Sequence, residues 1–253
     1  MKRVLSILLV LILLTGCNPK GNGMDHSNED LEMDYTTAIY YSPHADDEVL
    51  SMGSGILHNL ALGKEVIVVL LSKGLASNAI NIVNEKLEKE GHSPITPEEF
   101  GQARVEEFRN SVTSLGVSED NIYIYDLDDG QFTSNDVASI INDFVDKYPN
   151  ALHNAMSYND PHSDHAATGQ AVSELIENGD IQHGLYYLPI QEHNNMDFEG
   201  VYTVPEDRVD AFEQALKAYG KWSPEDKSYS IGYLSVRNYF ELAEKSLEGR
   251  WHH

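Results

Sequence analysis

Two short clusters bring together the residue types that metal and proton-transfer chemistry require. Residues 44–48 read His44-Ala45-Asp46-Asp47-Glu48, and residues 162–165 read His162-Ser163-Asp164-His165. Two histidines with one carboxylate are an ordinary protein ligand set for a catalytic zinc, whose remaining position stays open. His44 with Asp46 or Asp47 supplies two such ligands, and His162 or His165 supplies the third. Neighbouring aspartates at a helix start point in different directions, so one can hold an ion while the other moves a proton. Spacing alone does not say which does which. A simpler origin for the acids also exists, because a helix's first turn exposes unpaired N–H groups and positive partial charge. That origin explains neither His44 nor the second cluster.

The surrounding pattern predicts where these clusters sit. Thr36 to Ser42 is β-branched and aromatic, and Lys64 to Ser72 is a nearly continuous apolar run, as in strands buried on both faces. Between them a helix is expected over Asp46 to Leu60. Residues 73–95 are ambiguous, with a short helix possible. Thr96-Pro97-Glu98-Glu99 carries a cap, a first-turn proline and a capping-box glutamate, and the apolar stripe Val105, Phe108, Val112, Leu115 follows. Strands are expected over 121–127, near 152–158 and over 184–190, alternating with helices from Asn135, after Pro161 and over Glu206 to Gly220. The C-terminal segment reads as a strand or turn and a last helix. Such alternation predicts one α/β domain with a mostly parallel sheet. In such sheets ligands bind outside the carboxyl ends of the strands, where both clusters fall.

Several function classes lose support. The net charge is -24, with 41 acidic against 17 basic side chains, a surface that repels phosphodiester backbones, so no nucleic-acid partner is expected. No Gly-x-Gly-x-x-Gly follows the first strand and no phosphate-loop lysine motif is present. Asp126 to Gly130 superficially matches a calcium loop, but its glycine comes one position early, and Val137 stands where a glutamate is required. It is read as a loop.

Met1-Lys2-Arg3 followed by the apolar Val4 to Leu14 reads as an export signal too short to span a bilayer comfortably. Leu14-Thr15-Gly16-Cys17 resembles the lipobox of bacterial lipoproteins. The resemblance implies a signal peptide over 1–16 and lipidated Cys17 as the mature first residue. Residues 17–34 would be a flexible tether and 35–253 the folded domain, anchored to a membrane and facing outside the cytoplasm. Cys17 is the only cysteine, so no internal disulfide supports the fold.

Ser42-Pro43-His44-Ala45-Asp46-Asp47-Glu48 resembles the Pro-His-Pro-Asp-Asp-Glu signature of the PIG-L/LmbE-like deacetylases, and Pro161 to His165 resembles that family's His-x-Asp-His segment. Gly53-Ser54-Gly55, Ser72-Lys73-Gly74 and Arg104 to Glu107 add weaker matches. The resemblance implies a Rossmann-like three-layer fold and zinc-dependent removal of an acetyl group from an N-acetylated amino sugar, such as an N-acetylglucosamine-containing glycan or glycoconjugate. Another divalent metal would also serve. By the same resemblance His44, Asp47 and His165 are metal ligands, Asp46 is the general base, and His162 faces the developing oxyanion as a charged partner that could also protonate the leaving amine. Asp164 orients His162 or its neighbourhood, and Glu48 gives support. Ala45 departs from the family's proline, Ser72-Lys73-Gly74 from a Thr-x-Gly segment, and the C-terminal third lacks the His-x-Ser-Gln pattern of many relatives.

Arg104 and Glu107 match a family pair, with an ion pair on a helix surface as the alternative. Tyr186, Tyr187, His193, Tyr202 and Trp222 are candidates to line a sugar site, against ordinary core packing. His92, His153 and His183 receive no role, and His252-His253 is expected to be a mobile tail. Hydrolysis of a non-sugar amide, or glycan binding without catalysis, are the alternative functions.

Overall fold

Strand β1 (Thr37–Ser42) is buried along its whole length, with Ala38 and Tyr40 facing one side and Ile39 and Tyr41 the other. A side chain the size of Ile39 contributes on the order of 1.5–3 kcal/mol by leaving water. The computed structural model describes residues 34–253. The expected signal peptide, Cys17 and the tether as far as residue 33 lie outside the described residues.

After β1 the chain runs through α1 (Asp47–Leu50), α2 (Gly53–Ala61), β2 (Glu65–Leu70), α3 (Ala79–Lys89), α4 (Pro97–Leu115), β3 (Ile122–Ile124), α5 (Ser134–Val145) and β4 (Ala151–Met156). It continues through α6 (Ser163–Asn178), β5 (His183–Tyr187), β6 (Gly200–Thr203), α7 (Val209–Ala218), β7 (Trp222–Ser223), β8 (Ser228–Tyr229), α8 (Ile231–Ser246) and β9 (Glu248–His252). Seven strands form one sheet in the order β3-β2-β1-β4-β5-β9-β6, and β7 pairs with β8 in a separate hairpin. The first five are parallel, while β9 runs antiparallel to both neighbours. This is the expected α/β domain with a mostly parallel sheet between two helical layers. Helices α2, α4, α7 and α8 pack on one face and α5 and α6 on the other.

Strand order reverses at β1, which pairs with β2 on one side and β4 on the other. The two connections leaving β1 and β4 therefore diverge, and a crevice opens between their carboxyl ends. His44 follows β1 and His162 follows β4, so the topology brings the two clusters together.

Three local features differ from expectation. The helix expected over Asp46 to Leu60 is two helices, since Ser51 and Met52 both donate to the Asp47 carbonyl and leave regular geometry. The break lets Gly55 approach Tyr187 so closely that a Cβ there would lie 1.9 Å from the tyrosine oxygen. The expected strand over 121–127 keeps three ladder residues, although Tyr125 and Leu127 still donate to the Leu70 and Leu71 carbonyls. His252 belongs to no mobile tail. It ends β9, is 8% exposed, and its Nε2 lies 2.7 Å from the Ser157 hydroxyl. Trp251 buries beside it, so β9 has an apolar reason to enter the sheet that position in the chain could not reveal.

Candidate metal and hydrolytic centre

Ser42 ends β1 and its hydroxyl donates to the His44 carbonyl at 2.7 Å, turning the chain across the strand's end. The His44 backbone N–H then donates to Asp47 Oδ2 at 3.1 Å. Asp47 is therefore tied to the loop that carries His44, and the same oxygen lies 3.4 Å from His44 Nδ1 and 3.2 Å from His165 Nε2. Donor atoms about 2.0–2.2 Å from a tetrahedral ion stand about 3.3 Å apart, so each of these two separations is one that ligands of a shared divalent metal would show. His44, His162 and His165 also place one ring nitrogen each within 4.8 Å of one another.

Each of the two ligand-type histidines has a carboxylate behind it. His165 Nδ1 lies 2.9 Å from Asp160 Oδ2, and His44 Nε2 lies 3.0 Å from Asp164 Oδ2 and 3.3 Å from Asp129 Oδ1. Such partners fix which nitrogen carries the proton and leave the other free to bind metal. Asp164 in turn accepts from the Gly130 N–H at 2.8 Å, and Asp160 Oδ1 accepts from the His162 N–H at 2.8 Å. The side chain of Asp164 thus faces His44, touching His162 only through a backbone N–H that donates to His162 Nδ1 at 3.3 Å. That bond makes Nδ1 an acceptor and puts the proton of a neutral His162 on Nε2.

The charges follow from this packing. Burial opposes ionisation of Asp47, but the His165 and His44 imidazoles outweigh it and hold the carboxyl below its usual range. Burial also disfavours a charged His165, yet Asp47 and Asp160 raise it to about 9. His44 is likewise raised, by Asp129, Asp164 and Asp47 against burial. Asp46 goes the other way: burial, with the Asp47 charge beside it, pushes its carboxyl up to about 7 while Arg104 pulls it partly back. Burial and the two neighbouring imidazoles keep His162 below its ordinary value, which favours the neutral ring.

Asp46 does not behave as a helix cap. It occupies the N-cap position of α1 without a side-chain capping bond, and its φ of 121° is one that L residues rarely adopt. Asp46 instead lines a cavity of about 440 Å³ with His44, Asp47, Arg104, His162 and His165. The lining also includes the less polar Leu50, Ile190, Val236 and Tyr239. Helix α8 departs from helical geometry at Val236, within the stretch that supplies Ser235, Val236 and Tyr239 to the lining.

The structure thus gathers His44, Asp46, Asp47, His162, Asp164 and His165 in one place. It does not gather the aromatic candidates: Tyr186, Tyr187, Tyr202 and His193 are buried in the fold, and Trp222 stacks under Lys86, so none of them lines this cavity. Arg104 and Glu107 are no surface pair. Both are buried; Arg104 donates to the Ala45 carbonyl, and Glu107 accepts from the Ile231 and Gly232 N–H groups. Asp129 and Asp160 were missed. Asp129 lies in the loop after β3, where its position at a strand's carboxyl end was the available signal. Asp160 precedes Pro161-His162 as an aspartate poised to bond the N–H two residues on.

A family model described as PIG-L: GlcNAc-PI de-N-acetylase matches residues 39–176. No curated protein matches the chain in sequence. Among solved structures, a deacetylase triple mutant of the teicoplanin biosynthetic pathway superposes with a TM-score of 0.62 at 19% identity, over 82% of this chain and 89% of that one. The N,N'-diacetylchitobiose deacetylase from Pyrococcus horikoshii gives 0.57 at 19% identity, over 87% and 84%. GalB, the 4-carboxy-2-hydroxymuconate hydratase from Pseudomonas putida KT2440, gives 0.58 at 19% identity, over 86% and 94%. The fold alone therefore does not dictate the reaction.

Proposed function

We propose that this chain, which belongs to the PIG-L family, is a divalent-metal-dependent hydrolase that removes an acetyl group from an N-acetylated amino sugar. One observation carries the reading: Asp47 Oδ2 sits within 3.4 Å of ring nitrogens from both clusters, with Asp46 lining the same cavity. His44, Asp47 and His165 would hold the ion, and zinc is the metal this donor set suits. A bound ion would supply Lewis acidity toward an amide carbonyl and make water more acidic.

The chain's own residues do the rest. Asp46 accepts a proton from the attacking water on its carboxylate, and burial suits it to that task by lifting its carboxyl toward neutral pH. The Nε2–H of neutral His162 donates to the carbonyl oxygen, where negative charge develops only as the bond forms. Protonated Asp46 returns its proton to the departing nitrogen, which then leaves as a neutral amine and not as an amide anion, a very poor leaving group. Leu50, Ile190, Val236 and Tyr239 in the cavity lining offer apolar contacts for the less polar face of a sugar ring. We also propose that the lipidated Cys17 attaches the enzyme to a membrane on the side away from the cytoplasm.

The test is acetate release by the zinc-loaded protein from chitooligosaccharides, peptidoglycan fragments and simple N-acetylamino-sugar conjugates. Asp46→Asn should retain metal and lose most turnover, whereas Asp47→Asn and His165→Ala should weaken metal binding itself. A fully loaded wild-type protein that releases no acetate from any of these substrates would overturn the sugar-deacetylase reading. Cys17→Ser, which abolishes lipid attachment, should move the protein from membrane to soluble fractions.

A further inference from the structure

The Ala45–Asp46 peptide is gripped at both ends by two buried polar side chains. Arg104 Nη2 donates to the Ala45 carbonyl at 3.0 Å, and Glu48 Oε2 accepts from the Asp46 N–H at 2.9 Å. The two residues come from different elements, Arg104 from α4 and Glu48 from α1, and are 6% and 0% exposed. Glu48 is held in turn, because the Tyr219 hydroxyl donates to its Oε1 at 2.7 Å and Tyr219 is itself fully buried at the end of α7. Arg104 is held by shape: its guanidinium lies where a Cβ on Gly74 would come within 2.5 Å of Cζ.

Turning this peptide plane changes ψ of Ala45 and φ of Asp46 together, so holding the plane constrains the φ of Asp46. The observed φ of 121° is costly for an aspartate and persists only if its surroundings impose it. The carboxylate makes no capping bond that would compensate. We propose that Glu48 and Arg104 are positioning residues: together they clamp the Ala45–Asp46 peptide and so aim the Asp46 carboxylate into the cavity. The inference rests on the reading of Asp46 as the proton acceptor, but the clamp itself is a statement about the backbone.

Two arms separate those levels. In the activity arm, zinc-loaded Glu48→Leu loses about 10- to 100-fold in kcat, with KM and zinc content close to wild type, because a displaced base slows the chemistry and not the binding. Arg104→Met loses kcat likewise whatever it does to KM, since Arg104 also lines the cavity. Glu48→Gln keeps a carbonyl acceptor for the Asp46 N–H and recovers most of the loss. A rise in KM at unchanged kcat would overturn the clamp for Arg104 and make it a substrate contact. In the stability arm, Asp46→Gly melts above Asp46→Ala by a few degrees, since glycine accepts the imposed φ and alanine does not. In a Glu48→Leu background the gap closes, and Arg104→Met supplies a second background should Glu48→Leu fail to fold. A gap that persists unchanged in both backgrounds overturns the clamp. Should the wild type release no acetate, the proposed activity falls while the stability arm still decides the clamp.

Discussion

Nδ1 of His165 lies 2.9 Å from Oδ2 of Asp160, and both side chains are buried. The same carboxylate accepts the His162 N–H through Oδ1, so one residue orients the imidazole that would bind metal and fixes the backbone of the histidine beside it. Asp160→Asn can keep an acceptor toward only one of these donors. Metal affinity should fall by about 10- to 100-fold, the usual cost of losing such a support. Competition with a chromophoric chelator measures it. Unchanged affinity would mean that His165 needs no carboxylate to hold its tautomer.

Metal binding should release protons. In the metal-free protein Asp47 and Asp160 raise His165 to about 9, so that imidazole holds an extra proton at pH 7, and the carboxylates around His44 shift its ring in the same direction. A metal ligand must be deprotonated, and the ion therefore displaces those protons. Apparent zinc affinity should climb steeply between pH 6 and 8, by on the order of tenfold or more per unit. Calorimetry in two buffers of different ionisation enthalpy counts the protons. A heat independent of buffer would contradict ligation through both rings.

Glu107 caps a helix that is not its own. Its two oxygens accept from the Ile231 and Gly232 N–H groups at 2.6 and 3.0 Å, the otherwise unpaired donors at the start of α8. Burial pushes its carboxyl up to about 8, against an ordinary 4.5. The folded state then binds a proton that the unfolded chain has released, so this stabilisation is complete below about pH 4.5 and declines as pH rises toward 8. Glu107→Gln points an amide donor at one of those N–H groups and should cost about 1–3 kcal/mol in acid. Because glutamine does not titrate, the difference in melting temperature between wild type and variant should shrink from pH 5.5 to pH 8.5. A difference that widens instead would mean that the ionised carboxylate is the capping form.

Much of this arrangement could be read before folding. Strands β1 and β2 announce themselves as apolar runs, and α4 begins at the Thr96 capping box, where the Thr96 hydroxyl accepts the Glu99 N–H and Glu99 answers to the Thr96 N–H. The two histidine clusters meet because the strand order reverses at β1, which puts the parallel β1 and β4 side by side. What stayed hidden depends on tertiary placement. Asp129 gains its meaning only when the loop after β3 folds over His44. Glu107 looks like half of a surface ion pair until α8, 124 residues later in sequence, arrives on it. The end strand β9 is too short for its alternation to stand out, and Trp251 buries only because β5 and β6 leave a place between them.

Gly74 offers the most economical check on how the weaker sequence matches cooperate. Ser72-Lys73-Gly74 and Arg104 to Glu107 lie far apart in sequence, yet the missing Cβ of Gly74 is what makes room for the Arg104 guanidinium. The backbone there has a φ of 71°, so any L side chain meets both a conformational and a steric penalty. Gly74→Ala should therefore cost about 1–2 kcal/mol of stability and also displace Arg104 from the Ala45 carbonyl. Turnover should drop with it while zinc content holds, since Arg104 touches the peptide that carries Asp46 and no ligand atom of the proposed metal set. Thermal denaturation beside steady-state kinetics separates the two effects. A variant that loses stability but keeps full kcat would show that Arg104 can move without disturbing Asp46.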